Sequence, residues 1–121
     1  MGLLLILNQA MACGYCVEDK IAAIYDHAVV QQAKLHQLQV LFFEINGADA
    51  ESLDKYATPL KIALSKLPDL DSTTIRMSTQ PPAISFAYRN TMTAKTVAQI
   101  VNARLAEDKI DINLNLLQLS H

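Results

Sequence analysis

Hydrophobic and polar positions in the first part of the chain predict a helix followed by a strand. From Val17 to about residue 34, apolar residues recur every three or four positions, which is typical of an amphipathic helix. Residues 37–45 are instead a short run rich in leucine, valine, phenylalanine and isoleucine, and the turn signal Asn46-Gly47 closes it. Because both alternating faces of this run are apolar, we expect a central strand that is covered on two sides.

A second helix and a second strand are predicted after this turn. Residues 49–66 carry apolar side chains at helical spacing, and Asp49 is a suitable N-cap. Pro59 leaves two alternatives open, one kinked helix or a short turn that leads into a further helix. Residues 73–78 then alternate between apolar and polar side chains, which indicates a half-exposed strand.

The last third of the chain predicts a strand, a helix and a strand. After the break at Gln80-Pro81-Pro82, residues 83–88 place large side chains on one face and small ones on the other, so another element can approach the small face closely. Thr93 is a candidate N-cap for the helix. From Lys109 onward apolar and polar residues alternate strictly, which predicts a half-exposed final strand.

Between residues 37 and 117 the predicted order is β-α-β-β-α-β, the ferredoxin-like sandwich of an α+β protein. In that arrangement the first and third strands are central, which agrees with their apolar faces, and the two internal helices cover one side of the sheet. We expect the additional N-terminal helix, residues 17–34, to pack on the other side, against the small face of residues 83–87. Residues 13–121 would then form a single domain.

Composition describes an ordered globular chain, and the arrangement of its polar residues leads us to expect a binding protein and not an enzyme. Of the 121 residues 51% are hydrophobic, the net charge is −2, and the basic residues are scattered singly, so we expect no nucleic-acid binding. The acidic pairs Asp69 with Asp71 and Glu107 with Asp108 lie at predicted turns without a nearby histidine, where solvated carboxylates are common. No catalytic constellation is visible in the sequence.

The first twelve residues predict export. Leu3-Leu4-Leu5-Ile6-Leu7 followed by Ala10-Met11-Ala12 has the form of a signal-peptide apolar region with an A-x-A cleavage site, which predicts a periplasmic or secreted protein. The alternatives are a native short strand and a lipoprotein with Cys13 lipidated. A transmembrane helix is excluded on length, since a span needs about 20 apolar residues.

Cys13 and Cys16, the only two cysteines, form a C-x-x-C pair at the start of the first predicted helix. Two thiolates suit copper(I) or another soft metal ion, whereas a closed zinc site needs four ligands. His27 would lie about 16 Å away on an unbroken helix and could not share the ion. His36 is expected at the surface, and His121 is terminal.

Redox and structural roles for the pair are alternatives to metal binding. A helix N-terminus favours the thiolate of Cys16, but Glu18 and Asp19 oppose it. In an exported protein two cysteines can also form one structural disulfide, and a bridge that closes so short a loop adds little stability. The C-x-x-C spacing by itself does not decide among the three.

The chain resembles the heavy-metal-associated domain family, ferredoxin-like modules that carry copper and similar ions. Met11-Ala12-Cys13-Gly14-Tyr15-Cys16 matches the M-x-C-x-x-C pattern of that family, and residues 37–116 resemble its order of elements. The resemblance implies metal binding by Cys13 and Cys16 and exchange with a metal-donor or acceptor protein. In the family the cysteines lie in the loop between the first strand and the first helix. The corresponding loop here is residues 46–49, which contains no cysteine. The pair is therefore displaced onto the added N-terminal helix.

A second resemblance is to thioredoxin. If Leu3 to Leu7 form a strand, then a strand, C-G-x-C and a helix follow one another as in that family. Pro81 or Pro82 would correspond to its cis-proline. This resemblance implies thiol-disulfide exchange, but the strand predicted after Lys109 does not fit the thioredoxin order.

Overall fold

The computed structural model describes residues 16–117, and these form an α+β fold. The predictions for residues 1–12, Cys13 and His121 lie outside the described residues. Within the described range there are four helices, α1 (Val17–Ile24), α2 (His27–Leu35), α3 (Ala50–Ser65) and α4 (Ala94–Glu107). The four strands are β1 (Leu38–Asn46), β2 (Leu70–Thr79), β3 (Pro82–Arg89) and β4 (Asn113–Leu116).

The four strands form one sheet in the order β2-β3-β1-β4, and every neighbouring pair is antiparallel. This order is compatible with a ferredoxin-like fold. Helices α3 and α4 contact each other and the sheet, and the main core lies between them and one sheet face. At its centre the rings of Phe43 and Phe86 stack with 5.2 Å between centroids, and both side chains are fully buried.

The predicted single helix over residues 17–34 is wrong, because two helices occupy this region. The backbone is extended at Tyr25 and Asp26, and the Asp26 carboxylate accepts hydrogen bonds from the backbone N–H of Ala28 (2.9 Å) and Val29 (3.4 Å). A side chain that satisfies these donors starts a new helix at His27. Apolar periodicity continues through the break and therefore did not indicate it.

Both N-terminal helices contact the sheet face opposite the main core. The small side chains of Ala83, Ser85 and Ala87 on β3 are buried, and the Ser85 hydroxyl donates to the backbone carbonyl of Ile24 at 3.3 Å. So close a contact requires a small residue on the strand, as its sequence predicted. Lys20 on α1 adds an ion pair with Glu44 on β1, with 2.7 Å between Nζ and Oε1.

Several predicted boundaries agree with the structure, and others shift. Asp49 and Thr93 cap α3 and α4 by accepting from the backbone N–H of Ser52 (2.8 Å) and Thr96 (3.2 Å). Helix α3 continues through Pro59 as one helix, which resolves the alternative left open.

The last strand is shorter than the prediction from Lys109, because β1 ends at Asn46 and pairing with it begins only at Asn113. The alternation nevertheless identified the buried side chains correctly. Ile110, Ile112 and Leu114 are all buried, although the first two precede the strand.

Acid is expected to destabilise this fold because it protonates carboxylates that pair with cations or cap helices. The pKa of Asp26 lies below its ordinary value of 3.8 because Arg76 donates a hydrogen bond to it, and that of Glu44 lies below 4.5 because Lys20 does so. When the pKa of a carboxyl is lower in the folded protein than in the unfolded chain, its ionisation stabilises the fold. This contribution is complete at pH values above the unfolded pKa, and it is lost as the pH falls through the folded pKa.

Urea unfolding at pH 7, 4.5 and 3 should therefore show most of this loss below about pH 4.5, since unfolded Asp and Glu titrate near 4. Asp26→Asn is expected to lower stability at pH 7 and to reduce the loss between pH 4.5 and 3. An equal acid loss in wild type and variant would contradict the assignment.

Candidate functional site

Cys16 is the residue that precedes helix α1, and it is exposed. Its backbone is extended (φ −79°, ψ 171°), and its carbonyl accepts the hydrogen bond of Lys20 N–H at 3.1 Å. The Cys16 side chain forms no capping hydrogen bond with the described residues. The thiol is therefore accessible to an external group. Cys13 lies outside the described residues, so the geometry of the pair is not part of the described structure.

The charges near Cys16 are mostly acidic. Glu18 and Asp19 lie exposed in the first turn of α1, as the sequence suggested. Lys20 is the first cation after them, and its charge is paired with Glu44 on β1. Cys16 itself lies at the N-terminus of α1, the end of a helix that carries partial positive charge.

The two histidines among residues 16–117, His27 and His36, contact side chains that are close to them in the chain. His27 begins α2 rather than continuing α1, so the estimate for an unbroken helix does not apply. Its Nδ1 lies 3.3 Å from the Tyr25 hydroxyl, and its Nε2 lies 3.3 Å from Gln31 Nε2. His36 is exposed and lies 3.2 Å from Gln32 Oε1. Between residues 16 and 117 no three or more His, Cys, Asp or Glu side chains are grouped to hold a metal ion.

Three of the four acidic residues at the predicted turns, Asp69, Glu107 and Asp108, form ion pairs. Asp69 binds Arg89 at 3.0 Å, and Asp108 binds both Lys66 (3.1 Å) and Arg104 (2.9 Å). Glu107 also lies 3.2 Å from Arg104. Each of these three carboxylates is thus paired with at least one cation.

One surface feature was not identified from the sequence. An apolar groove of about 340 Å³ lies between α2 and β1, where its walls include Tyr25, Val30, Val40 and Phe42. The only indication in the sequence was that both faces of β1 are apolar. The sequence could not show that the described neighbouring elements leave part of one face uncovered.

Comparisons with protein-family models, with characterised proteins and with solved structures find no match to this chain. Within residues 16–117, none of the helices combines the length and apolar composition that crossing a membrane requires.

Proposed function

We propose that this chain is an exported soft-metal binding or carrier module that holds copper(I) between the thiolates of Cys13 and Cys16. The observation that carries the proposal is the position of Cys16. It is exposed, it precedes a helix whose N-terminus it does not cap, and it lies three residues after the other cysteine of the sequence.

The chemistry of two thiolates favours copper(I) over zinc. Soft sulfur ligands suit copper(I), and two-coordinate copper(I) needs no third ligand from the protein. A structural zinc site is usually closed by four ligands. If export removes residues 1–12, the amino group of Cys13 would be a further donor.

We infer that residues 37–117 have the ferredoxin-like topology and that α1 and α2 are additions to it. The strand order β2-β3-β1-β4 and the pairing of α3 with α4 on one sheet face support this inference. The cysteine pair would then lie on an addition, because the loop between β1 and α3 contains no cysteine. An experimental structure with β4 beside β2 would contradict it.

The proposed location is supported by the first twelve residues, and the proposed partner by the exposed cysteine at the start of α1. The apolar run at Leu3 to Leu7 and the Ala10-Met11-Ala12 pattern support a periplasmic or secreted location. An exposed thiol at a helix start can be reached by a second protein, so the proposed partner is a metal donor or acceptor that exchanges ligands with the pair.

Anaerobic titration with copper(I) in competition with a chromophoric chelator tests the proposal. We expect wild type to bind one ion per chain and a Cys13→Ser, Cys16→Ser variant to bind none, because serine hydroxyls are poor ligands for a soft ion. His27→Ala is the matched control and should leave the stoichiometry unchanged. Binding by wild type no tighter than by the double variant would refute metal binding.

A second measurement on metal-free protein separates metal binding from the disulfide alternatives. A thiol reagent should count two free cysteines in the reduced protein. The reduction potential of the pair then measures how stable the disulfide is. A potential below about −300 mV would indicate a structural bridge instead of an available dithiol.

A further inference from the structure

The hydrogen bonding between β1 and β4 continues past the last residue of β4. Leu116, where β4 ends, pairs with Phe43. One residue later the Leu117 N–H still donates to the Phe42 carbonyl at 2.8 Å, so the backbone keeps the spacing of the strand. Among the described residues, no strand lies beside residues 38–41 of β1 on this side. That stretch of β1 is about 13 Å long at the rise of a β-strand.

The register shows which backbone groups of β1 face this side. Successive residues of an antiparallel strand direct their N–H and C=O groups to opposite neighbours. The Gln37 carbonyl accepts from the residue that follows β3, whereas the Phe42 carbonyl accepts from Leu117 beyond β4. Even-numbered residues therefore face the β4 side, and the backbone groups of Leu38 and Val40 are directed there.

The apolar groove lies along the same stretch of β1. Leu38, Val40 and Phe42 contribute to its β1 wall, and Tyr25 also lines it. The rings of Tyr25 and Phe42 stack with 6.4 Å between centroids, and Tyr25 is 49% exposed among the described residues. An apolar side chain opposite Val40 would enter this groove, since directly opposite residues of two paired strands lie on the same sheet face.

The sequence beyond residue 117 has the pattern that this position requires. Continuing the register of β4 would set Leu119 opposite Val40, on the groove face. Ser120 would lie opposite Gln39 on the other face, where the Gln39 amide donates to the Met92 carbonyl at 2.8 Å. The alternation would thus place a leucine in the apolar groove and a serine beside a polar side chain.

The outer side of β4 is bonded to helix α4, so β4 is held as an edge strand of the sheet. The Asn102 amide donates to the Leu114 carbonyl and accepts from the Leu114 N–H, both at 2.9 Å. A single side chain thus makes the two hydrogen bonds that a neighbouring strand residue would make. This contact fixes β4 against β1 and directs the chain that follows it along β1.

We propose that residues 118–121 extend β4 along β1, pair antiparallel with residues 38–41 and insert Leu119 into the apolar groove beside Tyr25. The groove is then a docking site for a segment of the same chain and not for a partner protein. The extension also protects the β1 edge, because unpaired backbone groups on a strand edge are a template for pairing with other chains. This inference does not depend on the cysteine pair or on the proposed metal chemistry.

Nuclear Overhauser contacts in the isotope-labelled full chain test the pairing directly. In an antiparallel ladder the Cα atoms of opposite residues are closest, about 4.5 Å apart, in pairs that exchange no hydrogen bonds. The register makes Leu41 and Gln118 such a pair, so we expect a contact between their Hα atoms. We also expect the Leu119 methyl groups to contact the Tyr25 ring. Absence of the Hα contact would overturn the proposal.

Leu119→Asp and Ser120→Asp introduce the same charge on the two faces of the proposed extension. Aspartate at position 119 would put a carboxylate in the apolar groove, so we expect the Val40 amide to exchange hydrogen about tenfold faster or more. Ser120→Asp is the matched control on the other face and should change this rate by less than about twofold. Equal acceleration by both variants would contradict the insertion of Leu119.

A chain shortened by residues 118–121 tests the extension without a substitution. At low protein concentration we expect the Leu38 and Val40 amides to lose protection from hydrogen exchange. The Ile84 amide should stay protected because β3 is a central strand, and it shows that the shortened chain is folded. Unchanged protection of Leu38 and Val40 in the folded, shortened chain would refute the extension.

Two other occupants of the groove would also overturn the proposal. If protection of the Leu38 and Val40 amides in the full chain grows with protein concentration, a second copy fills the edge. If the Leu41 Hα instead contacts the Hα of a residue that precedes residue 16, the N-terminal part of the chain fills it.

Discussion

Phe86→Ala is expected to lower the free energy of unfolding by about 3 to 5 kcal/mol, the range for truncating a buried phenylalanine. Phe86 lies on central strand β3, is fully buried and stacks on Phe43. Its removal loses apolar burial and leaves a cavity between the sheet and helices α3 and α4. Strands on both sides of β3 limit how far the backbone can move to fill that cavity.

Urea unfolding followed by far-ultraviolet circular dichroism measures this loss. A domain of this size is usually stable by about 5 to 15 kcal/mol, so the variant should unfold at a much lower urea concentration. Ile62→Ala is the control because Ile62 is 54% exposed on α3, and its cost should stay near 0.5 kcal/mol. Similar losses for the two variants would contradict the position of the core.

Asn102→Ala is expected to cost about 2 kcal/mol, because the backbone N–H and C=O of Leu114 lose their partners on the side away from β1. Leu114 is 1% exposed, so water replaces those partners poorly. Through these hydrogen bonds Asn102 also connects α4 to β4, which is the shortest strand of the sheet. The substitution should therefore loosen β4 more than the rest of the sheet.

Hydrogen exchange at the Leu114 amide reports this local effect, and urea unfolding reports the global one. We expect Leu114 to exchange faster while the amides at the centre of β3 change only with global stability. Asn113→Ala, an exposed asparagine on the same strand, is the matched control and should cost less than about 0.5 kcal/mol. Unchanged exchange at Leu114 in the Asn102 variant would show that this side chain does not close the edge.

The candidate site could be predicted from sequence only in part. The C-x-x-C spacing and the helix that follows are local features, and they placed Cys16 at the helix start. The exposure of Cys16 and the pairing of Lys20 with Glu44 depend on how α1 lies on the sheet. These two residues are 24 positions apart, so no local pattern relates them.

The sequence by itself determined where most elements occur and which side chains they bury. Asp49 and Thr93 begin their helices because each cap bonds a backbone group three residues away. The alternation from Lys109 identified Ile110, Ile112 and Leu114 as buried, since side-chain direction in extended backbone alternates with every residue.

Tertiary structure alone decided the start of β4, and it reinforces the break between α1 and α2 that the local Asp26 cap begins. Asp26 is held by Arg76, which is 50 positions away, and β4 pairs only where β1 provides a partner. Whether an edge is open depends on side chains such as Asn102 that arrive from another element. The periodicity of apolar residues indicates only which positions are buried. Ion pairs between elements, strand register and the protection of sheet edges depend on residues that are distant in the chain.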